Sequence, residues 1–428
     1  MSTGTIFALA SGSARAAIAV MRLSGPASGP AVAALCGGTL PAPRHASLRR
    51  LRDPAGAMLD QALVLWFPGP GTYTGEDCAE LHLHGGRAVI DGVADALTEA
   101  GLRPAEPGEF TRRAFLNGKM DLVAAEAVHD LIAAETEAQR RQALRQLEGA
   151  LGVLYQDWAD RLRGILAYQE ALIDFPDEDL PPEVEDQLLA TLRAVHAEIR
   201  THLNDAGRGE KLREGLFFAI TGAPNVGKST LINALAERDV AIVSDIPGTT
   251  RDALETRVVL GGVPVTLVDT AGLRDTTDSI EAEGVRRALA RARDADLAMT
   301  VVEAGSPIPA NPGHLVIANK ADLGQQGPDG ALRISAKTGE GMDELRAHLA
   351  GAARQMTESS GAPPLTRARH RAALLEAASL LDAAEHADLP ELRGEDQRLA
   401  MRALGRITGH VGVEDILDTV FSKFCIGK

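Results

Sequence analysis

Gly222-Ala-Pro-Asn-Val-Gly227-Lys228-Ser229 decides how this chain is read. The stretch fits GxxxxGK[ST]. It follows an apolar run, Phe217–Thr221, that reads as a strand, and it opens a segment, Lys228–Ala236, that reads as a helix. That is the context the motif needs. The glycines let backbone N–H groups curl around phosphate oxygens, Lys228 reaches the β- and γ-phosphates, and Ser229 ligates Mg²⁺ at a helix N-terminus that favours negative charge. The plainer alternative is a glycine-rich strand–helix turn without a ligand, and the flanking strand and helix weigh against it.

Working outward, the companions of a guanine nucleotide site appear in order. Val226 and Thr230 belong to the phosphate loop, and Ser244-Asp245-Ile246 leads into Pro247-Gly248-Thr249-Thr250-Arg251-Asp252. There a threonine hydroxyl, that of Thr250, completes the Mg²⁺ shell when a γ-phosphate is present. Asp269-Thr270-Ala271-Gly272 ends the apolar run Val263–Val268: Asp269 holds the magnesium shell and the Gly272 N–H meets the γ-phosphate. In Asn319-Lys320-Ala321-Asp322 the Asp322 carboxylate accepts the paired N–H donors of guanine, a pair that adenine lacks. Ser335-Ala336-Lys337 supplies the loop that closes over the base. Where Ras-like GTPases place a water-orienting glutamine after this DTAG, the residue is Leu273. Asp275, Asp278, Glu281 and Glu283 are the nearby acids that could position water, although most such acids are simply solvated.

The chain has 428 residues, 45% apolar and 24% charged, a size and balance that suit several globular units. With 44 Lys and Arg against 59 Asp and Glu, the formal charge is -15, which excludes a generally basic nucleic-acid coat. Arg140–Arg141–Arg145 and Arg367–Arg369–Arg371 are the local clusters that could touch phosphate, or be ordinary solvated helix faces. The cysteines, Cys36, Cys78 and Cys425, have no CxxC spacing, which fits a reducing, cytoplasmic setting without disulfides. The N-terminus lacks a positive n-region, and no long uncharged apolar stretch occurs, so neither a signal peptide nor a membrane helix is expected.

The expected fold is multidomain, α+β and α/β. Residues 1–118 carry short strand-like runs (Ala17–Leu23, Gln61–Phe67, Glu80–His84) and a helix near Val89–Ala100. Residues 119–210 carry helical apolar spacing, from Leu122 through Trp158 to Leu172, and again from Val184 to Leu203. Residues 211–360 alternate strands with helices as an inserted nucleotide-binding unit. Residues 361–428 return to helical spacing, with the earlier helices as the simplest packing partner.

Three further stretches make a family match specific: GEDCAELHLHGG (Gly75–Gly86), RAFLNGKMDL (Arg113–Leu122) and FCIGK (Phe424–Lys428), with IDFPDEDL (Ile173–Leu180) between the last two. Together with the inserted unit they closely resemble, along essentially the whole length, the MnmE (TrmE) family of tRNA modification GTPases. The resemblance implies a homodimer with a folate-binding, dimerising N-terminal domain, a helical domain and an inserted G domain. It implies an FAD-dependent partner, MnmG, in a heterotetramer, and modification of tRNA wobble uridine at carbon 5 with a tetrahydrofolate derivative (5-formyl or 5,10-methylene). It also implies K⁺ held by the Asn225 side chain and by backbone carbonyls around Ser244, Ile246 and Thr249, with Glu281 orienting water. Arg22, Glu80, Lys119 and Lys428 would surround the folate, and Cys425 would take part in the modification.

Cys425 has two other readings. A prenylation signal is disfavoured by Gly427 and Lys428 at the end. A core-facing cysteine on the last turn of the terminal helix is the plain one, and Lys423 and Lys428, if folded close, would favour a reactive thiolate instead. Two other classes compete for the whole chain: a ribosome-assembly GTPase that only switches on RNA, and a dynamin-like GTPase using its helices as a membrane stalk. The N-terminal stretches and FCIGK argue against the first, and the lack of a basic amphipathic face argues against the second.

Overall fold

The computed structural model describes residues 4–12, 16–174, 182–238, 255–269, 294–307, 313–324, 327–358, 362–412 and 414–427. These form two compact units, Met1–His129 with Met401–Lys428, and Asp130–Ala400.

The first unit is an α+β fold. Its elements are β1 (Ile6–Leu9), β2 (Ile18–Ser24), α1 (Ser28–Leu35), β3 (Ser47–Arg52), β4 (Met58–Phe67), β5 (Cys78–His84), α2 (Arg87–Glu99), β6 (Arg103–Pro104), α3 (Glu109–Leu116) and the start of α4 (Leu122–Ala133). Strand order is β3-β4-β5-β2-β1-β6, antiparallel except for the β1–β6 pair. Alternation builds it: along β4, Asp60, Ala62, Val64 and Trp66 are buried while Gln61 and Leu63 face outward. Met21, Leu23, Leu81 and Leu83 join them beneath α1 and α2. The alternating runs are visible in sequence, but β1, α1 and β3 are additions to the expected elements. In β3 the exposed Leu48 and half-buried Arg49 break the apolar alternation, and α1 is short and apolar on all sides, so neither has a distinctive period.

The second unit begins with α5 (Glu137–Leu147), α6 (Ala150–Asp174), α7 (Pro182–Leu203) and α8 (Arg208–Glu214). The expected long helical run from residue 119 is thus several helices. It is cut at Thr136, whose side chain accepts from Gln139 N in a reciprocal capping box, and at Gly149 (φ 91°). Then come β7 (Leu216–Thr221), α9 (Lys228–Arg238), β8 (Glu255–Leu260), β9 (Val263–Asp269), β10 (Leu297–Glu303), β11 (Leu315–Asn319), β12 (Leu332–Arg333), α10 (Met342–Thr357), α11 (Ala368–His386) and α12 (Pro390–Thr408). The sheet order is β12-β11-β10-β7-β9-β8, parallel except that β8 pairs antiparallel with β9 at one edge. Its strands are nearly continuous apolar runs, Leu216, Phe218 and Ile220 being fully buried, as a sheet covered on both faces requires.

The returning helices divide between partners. α11 packs on α7, as expected from the helical spacing. The last helix, α13 (Glu414–Phe421), corrects that expectation: in the first unit it packs on α3, with Leu417, Val420, Phe421 and Phe424 against Leu122 and Ala125.

Candidate functional site

In the parallel sheet, every nucleotide motif that is described sits at the carboxyl end of a strand, where open α/β sheets bind ligands. β7 ends at Thr221, and the chain turns through Gly222 (φ 147°), Asn225 (φ 64°) and Gly227 (φ 96°) before α9 starts at Lys228. Lys228 is buried, and its ammonium donates to Gly222 O at 3.1 Å and Ala223 O at 2.8 Å. With two of its three donors so used, the third is left for an anion cradled by the loop. Ser229 Oγ lies 3.4 Å from Asp269 Oδ2. A hydroxyl beside a carboxylate is the hard-oxygen pairing that Mg²⁺ takes.

One buried side chain ties three motifs together. Asn319 Nδ2 donates to Val226 O at 2.8 Å, and its Oδ1 accepts from Ala336 N at 3.0 Å. A Cβ at position 227 would stand 2.3 Å from Asn319 Nδ2, so glycine is required there both for φ and for space. Asp322 is exposed, and its Oδ1 accepts the Ser335 hydroxyl at 2.7 Å, which fixes the carboxylate's orientation. Lys320, in a left-handed turn, is ion-paired with Glu303, and Lys337 is exposed. Asn225 and Thr230 are exposed on the loop and first turn. Ser244, Asp245, Ile246, Pro247, Gly248, Thr249, Thr250, Thr270, Ala271, Gly272, Leu273 and Glu281 lie outside the described residues, as does Lys428.

In the first unit, Arg22 on β2 and Glu80 on β5 are directly opposite in the sheet register. Arg22 Nη2 donates to Glu80 Oε1 at 2.9 Å and Nε at 3.2 Å. Both line a cavity of about 220 Å³ walled also by Arg44, Phe67, Tyr73 and Cys78. The Arg22 guanidinium lies 6.0 Å from the Tyr73 ring centre, and Arg44 lies 5.9 Å from that of Phe67. The Tyr73 hydroxyl is hydrogen-bonded to Thr111 Oγ1 at 2.8 Å, and burial pushes its pKa up. Aromatic walls, two guanidiniums and one carboxylate suit a flat heterocycle with N–H donors and an anionic tail. Lys119 is exposed with its stem beside Gly75, next to the loop that walls the cavity but not in its lining. Arg44, Phe67 and Tyr73 went unread in sequence; only the Gly/Thr-rich turn around Tyr73 hinted at a special loop.

Cys425 is exposed, beyond the end of α13, and its carbonyl accepts from Gly108 N at 3.4 Å. This corrects the core-facing reading: α13 stops at Phe421, and Phe424 takes the buried position instead. The arginine clusters divide: Arg140 and Arg141 stand on a solvated helix face, whereas Arg367 and Arg371 are drawn into partly buried ion pairs. Arg140 and Arg141 both bind Glu137, whose carboxyl their hydrogen bonds hold down at about 2. Arg367 pairs with Asp130, and Arg371 with Asp205 and Glu210.

Fold and loop geometry define a P-loop G domain carried within a multidomain chain that also holds an α+β domain and a helical domain. Residues 5–119 match the model of the GTP-binding protein TrmE N-terminus, and residues 122–425 that of the MnmE helical domain. A tRNA modification GTPase MnmE of Gluconacetobacter diazotrophicus is 63% identical over 99% of this chain and 98% of its own. That of Granulibacter bethesdensis is 59% identical over all of both chains. Among solved structures, the G domain of the T. maritima FeoB iron transporter aligns at 24% identity over 33% of this chain and 99% of its own, with a TM-score of 0.22, which bears no weight. The chain belongs to the MnmE (TrmE) family of tRNA modification GTPases. No helix of the described residues is long and apolar enough to cross a membrane.

Proposed function

We propose that this chain is a K⁺-activated GTPase that, with an FAD-dependent MnmG partner in a heterotetramer, modifies carbon 5 of the wobble uridine of certain tRNAs. The observation that carries the nucleotide half is the Asn319 tie, because it holds the phosphate loop and the base loop as one preorganised site. Lys228 would contact the β- and γ-phosphates, Ser229 and Thr250 would ligate Mg²⁺ with Asp269 in its shell, and the Gly272 N–H would meet the γ-phosphate. Asn225, with the carbonyls around Ser244, Ile246 and Thr249, would hold K⁺, and Glu281 would orient the attacking water that Leu273 cannot. Bound cations there neutralise charge developing on the transferred phosphoryl group.

The folate half rests on the Arg22–Glu80 cavity and on family membership. Residues 1–118 would bind a 5-formyl or 5,10-methylene tetrahydrofolate and pair two copies as a homodimer. The remaining boundaries follow the same plan: helical domain 119–210 and 361–428, G domain 211–360. Exposed Cys425 would join the chemistry and Lys428 the folate shell, in a cytoplasmic enzyme.

One paired experiment tests the reading. GTP turnover is measured in K⁺ and in Na⁺ at equal ionic strength, and wobble nucleosides from cells lacking the chain are analysed by mass spectrometry. Faster turnover in K⁺ together with loss of the carbon-5 modification supports it. Indifference to the cation removes the K⁺ site, and intact wobble uridine modification removes the tRNA role.

A further inference from the structure

Between helices α7 and α11 and the sheet that carries the phosphate loop, the chain crosses twice, outward through 204–215 and back through 362–367. The crossings lie against each other. Leu365 N donates to Asp205 Oδ2 at 3.3 Å, and Arg213 Nε donates to Thr366 O at 2.7 Å. A Cβ on Gly209 would stand 2.2 Å from Leu365 O, so the two backbones touch. α5 grips the same place: Gln146 Nε2 donates to Thr366 Oγ1 at 2.7 Å and Gln142 Nε2 to Gly209 O at 2.9 Å.

Arg371 closes the knot from the first turn of α11. Its Nη1 donates to Leu203 O at 2.8 Å, Nη2 to Asp205 Oδ1 at 2.7 Å and Nε to Glu210 Oε2 at 3.0 Å. One guanidinium therefore holds the end of α7, the turn after it and the start of α8. Only the rigid arginine fork spans acceptors so placed, since a lysine is a single point charge. The turn it secures is strained: Ala206 has φ 56°, and Gly207 N donates to Asp205 Oδ1 at 2.9 Å. A non-glycine residue there persists because its surroundings hold it.

Beyond the knot there is no slack. α8 ends at Glu214, Gly215 intervenes, and β7 runs directly into Gly222. Lys211 pairs with Asp296 at 3.0 Å, and the Asp296 carboxylate also accepts Phe217 N at 3.0 Å, so α8, β7 and the start of β10 form one piece.

We propose that Arg371 is a positioning residue that couples the phosphate-loop strand to helices α7 and α11, so that a change of nucleotide state reaches the helices through α8. This rests on the reading that GTP hydrolysis and tRNA modification are linked steps. The alternative that the arginine merely stabilises the fold would lower both activities together.

The test uses the full chain with its FAD-dependent partner and compares Arg371→Gln with Gly209→Ala, which wedges the crossings apart from the other side. Turnover of GTP, wobble uridine modification, and hydrogen exchange in residues 368–386 with GDP and with GDP plus aluminium fluoride are measured. In at least one folded variant we expect GTP turnover within about twofold of wild type, modification down about tenfold, and loss of the nucleotide-dependent difference in exchange. Wild-type modification in both variants, or parallel loss of turnover and modification, overturns the coupling. If the unaltered chain shows nucleotide-dependent exchange in α11 that Arg371→Gln removes, yet never modifies tRNA, the coupling stands and the tRNA reading falls.

Discussion

The two six-stranded sheets of this molecule place their chemistry differently. In the parallel sheet, β7, β9 and β11 all point the same way, and the phosphate loop, Asp269 and Asn319 fall at their carboxyl ends. The work is done by loops: backbone donors, two glycines at positive φ and a few fixed side chains. In the antiparallel sheet the candidate site is founded on side chains opposite one another across β2 and β5, with Arg44 and Tyr73 closing it from the flanking loops. Loop chemistry needs a contiguous string of residues and so leaves a motif. Face chemistry needs only alternate residues on strands far apart in sequence, and leaves almost none.

The largest expected effect tests the loop side. The Asp322 carboxylate accepts the Ser335 hydroxyl, and in the proposed role of reading guanine a site built on a specific donor pair rejects a base lacking it by about 10⁴. Asp322→Asn should therefore reverse the preference between GTP and xanthosine triphosphate by about that factor in kcat/KM, and ATP should compete poorly with the unaltered chain. Equal competition by ATP would remove the base-reading role. Next, Lys228→Ala deletes a preorganised charge and should lower kcat for GTP by about 10³ in single-turnover assays. A drop of only a few-fold would mean that the backbone donors alone carry the loop.

The same contrast explains what was legible from sequence. Gly222–Ser229, Asn319–Asp322 and Ser335–Lys337 were readable because each motif is local, and the structure joins them through Asn319. Arg22 and Glu80 were reached only through family resemblance; their facing each other depends on the β2–β5 register, which no local pattern states. Arg44 and Tyr73 come from loops and Phe67 from the end of β4, and they were missed because only the folded chain brings them to one cavity. β8 was missed because an edge strand with Glu255 and Arg257 half exposed lacks the apolar run of its neighbours. Arg367 and Arg371 looked like solvated or RNA-facing cations, because their acidic partners Asp130 and Asp205 lie more than a hundred residues earlier in the chain.

On the face side, Arg22→Ala should weaken binding of 5-formyl tetrahydrofolate about ten- to a hundredfold by calorimetry, since it removes a charged donor and leaves Glu80 without it. Glu80→Gln should cost less, because the amide oxygen still accepts from Arg22. GTP turnover by the isolated chain should be unchanged in both variants. If Arg22→Ala left folate binding intact, the cavity would be a packing defect rather than a site, and the contrast between loop and face chemistry would fail.

The smallest effect separates a structural cross-strand pair from a functional one on the same sheet. Asp60 on β4 is buried; its Oδ2 accepts His84 N at 2.9 Å and its Oδ1 faces His84 Nδ1 at 2.7 Å. Burial by itself would raise the Asp60 pKa, but hydrogen bonds from the His84 backbone and ring and from Gln61 N together hold it below the ordinary carboxylate value. A carboxyl whose folded pKa is depressed binds fewer protons folded than unfolded between the two values. Its stabilisation is therefore complete above the unfolded pKa of about 4 and is lost as pH falls through the lower folded value. Amide protection factors along β4 and β5, measured against the intrinsic rate at each pH, should fall in that acid window in the unaltered chain. In Asp60→Asn one acceptor oxygen becomes an amide NH2 and the group no longer titrates, so its contribution to the acid dependence should vanish, with a local opening free energy lower by about 1–2 kcal/mol near neutral pH. Local exchange is the right measurement, because a chain of several domains has no single melting free energy. If Asp60→Asn kept the same acid-induced opening of β4 and β5, Asp60 would not be the group that fastens these strands, and GTP turnover should stay at the wild-type rate in either case.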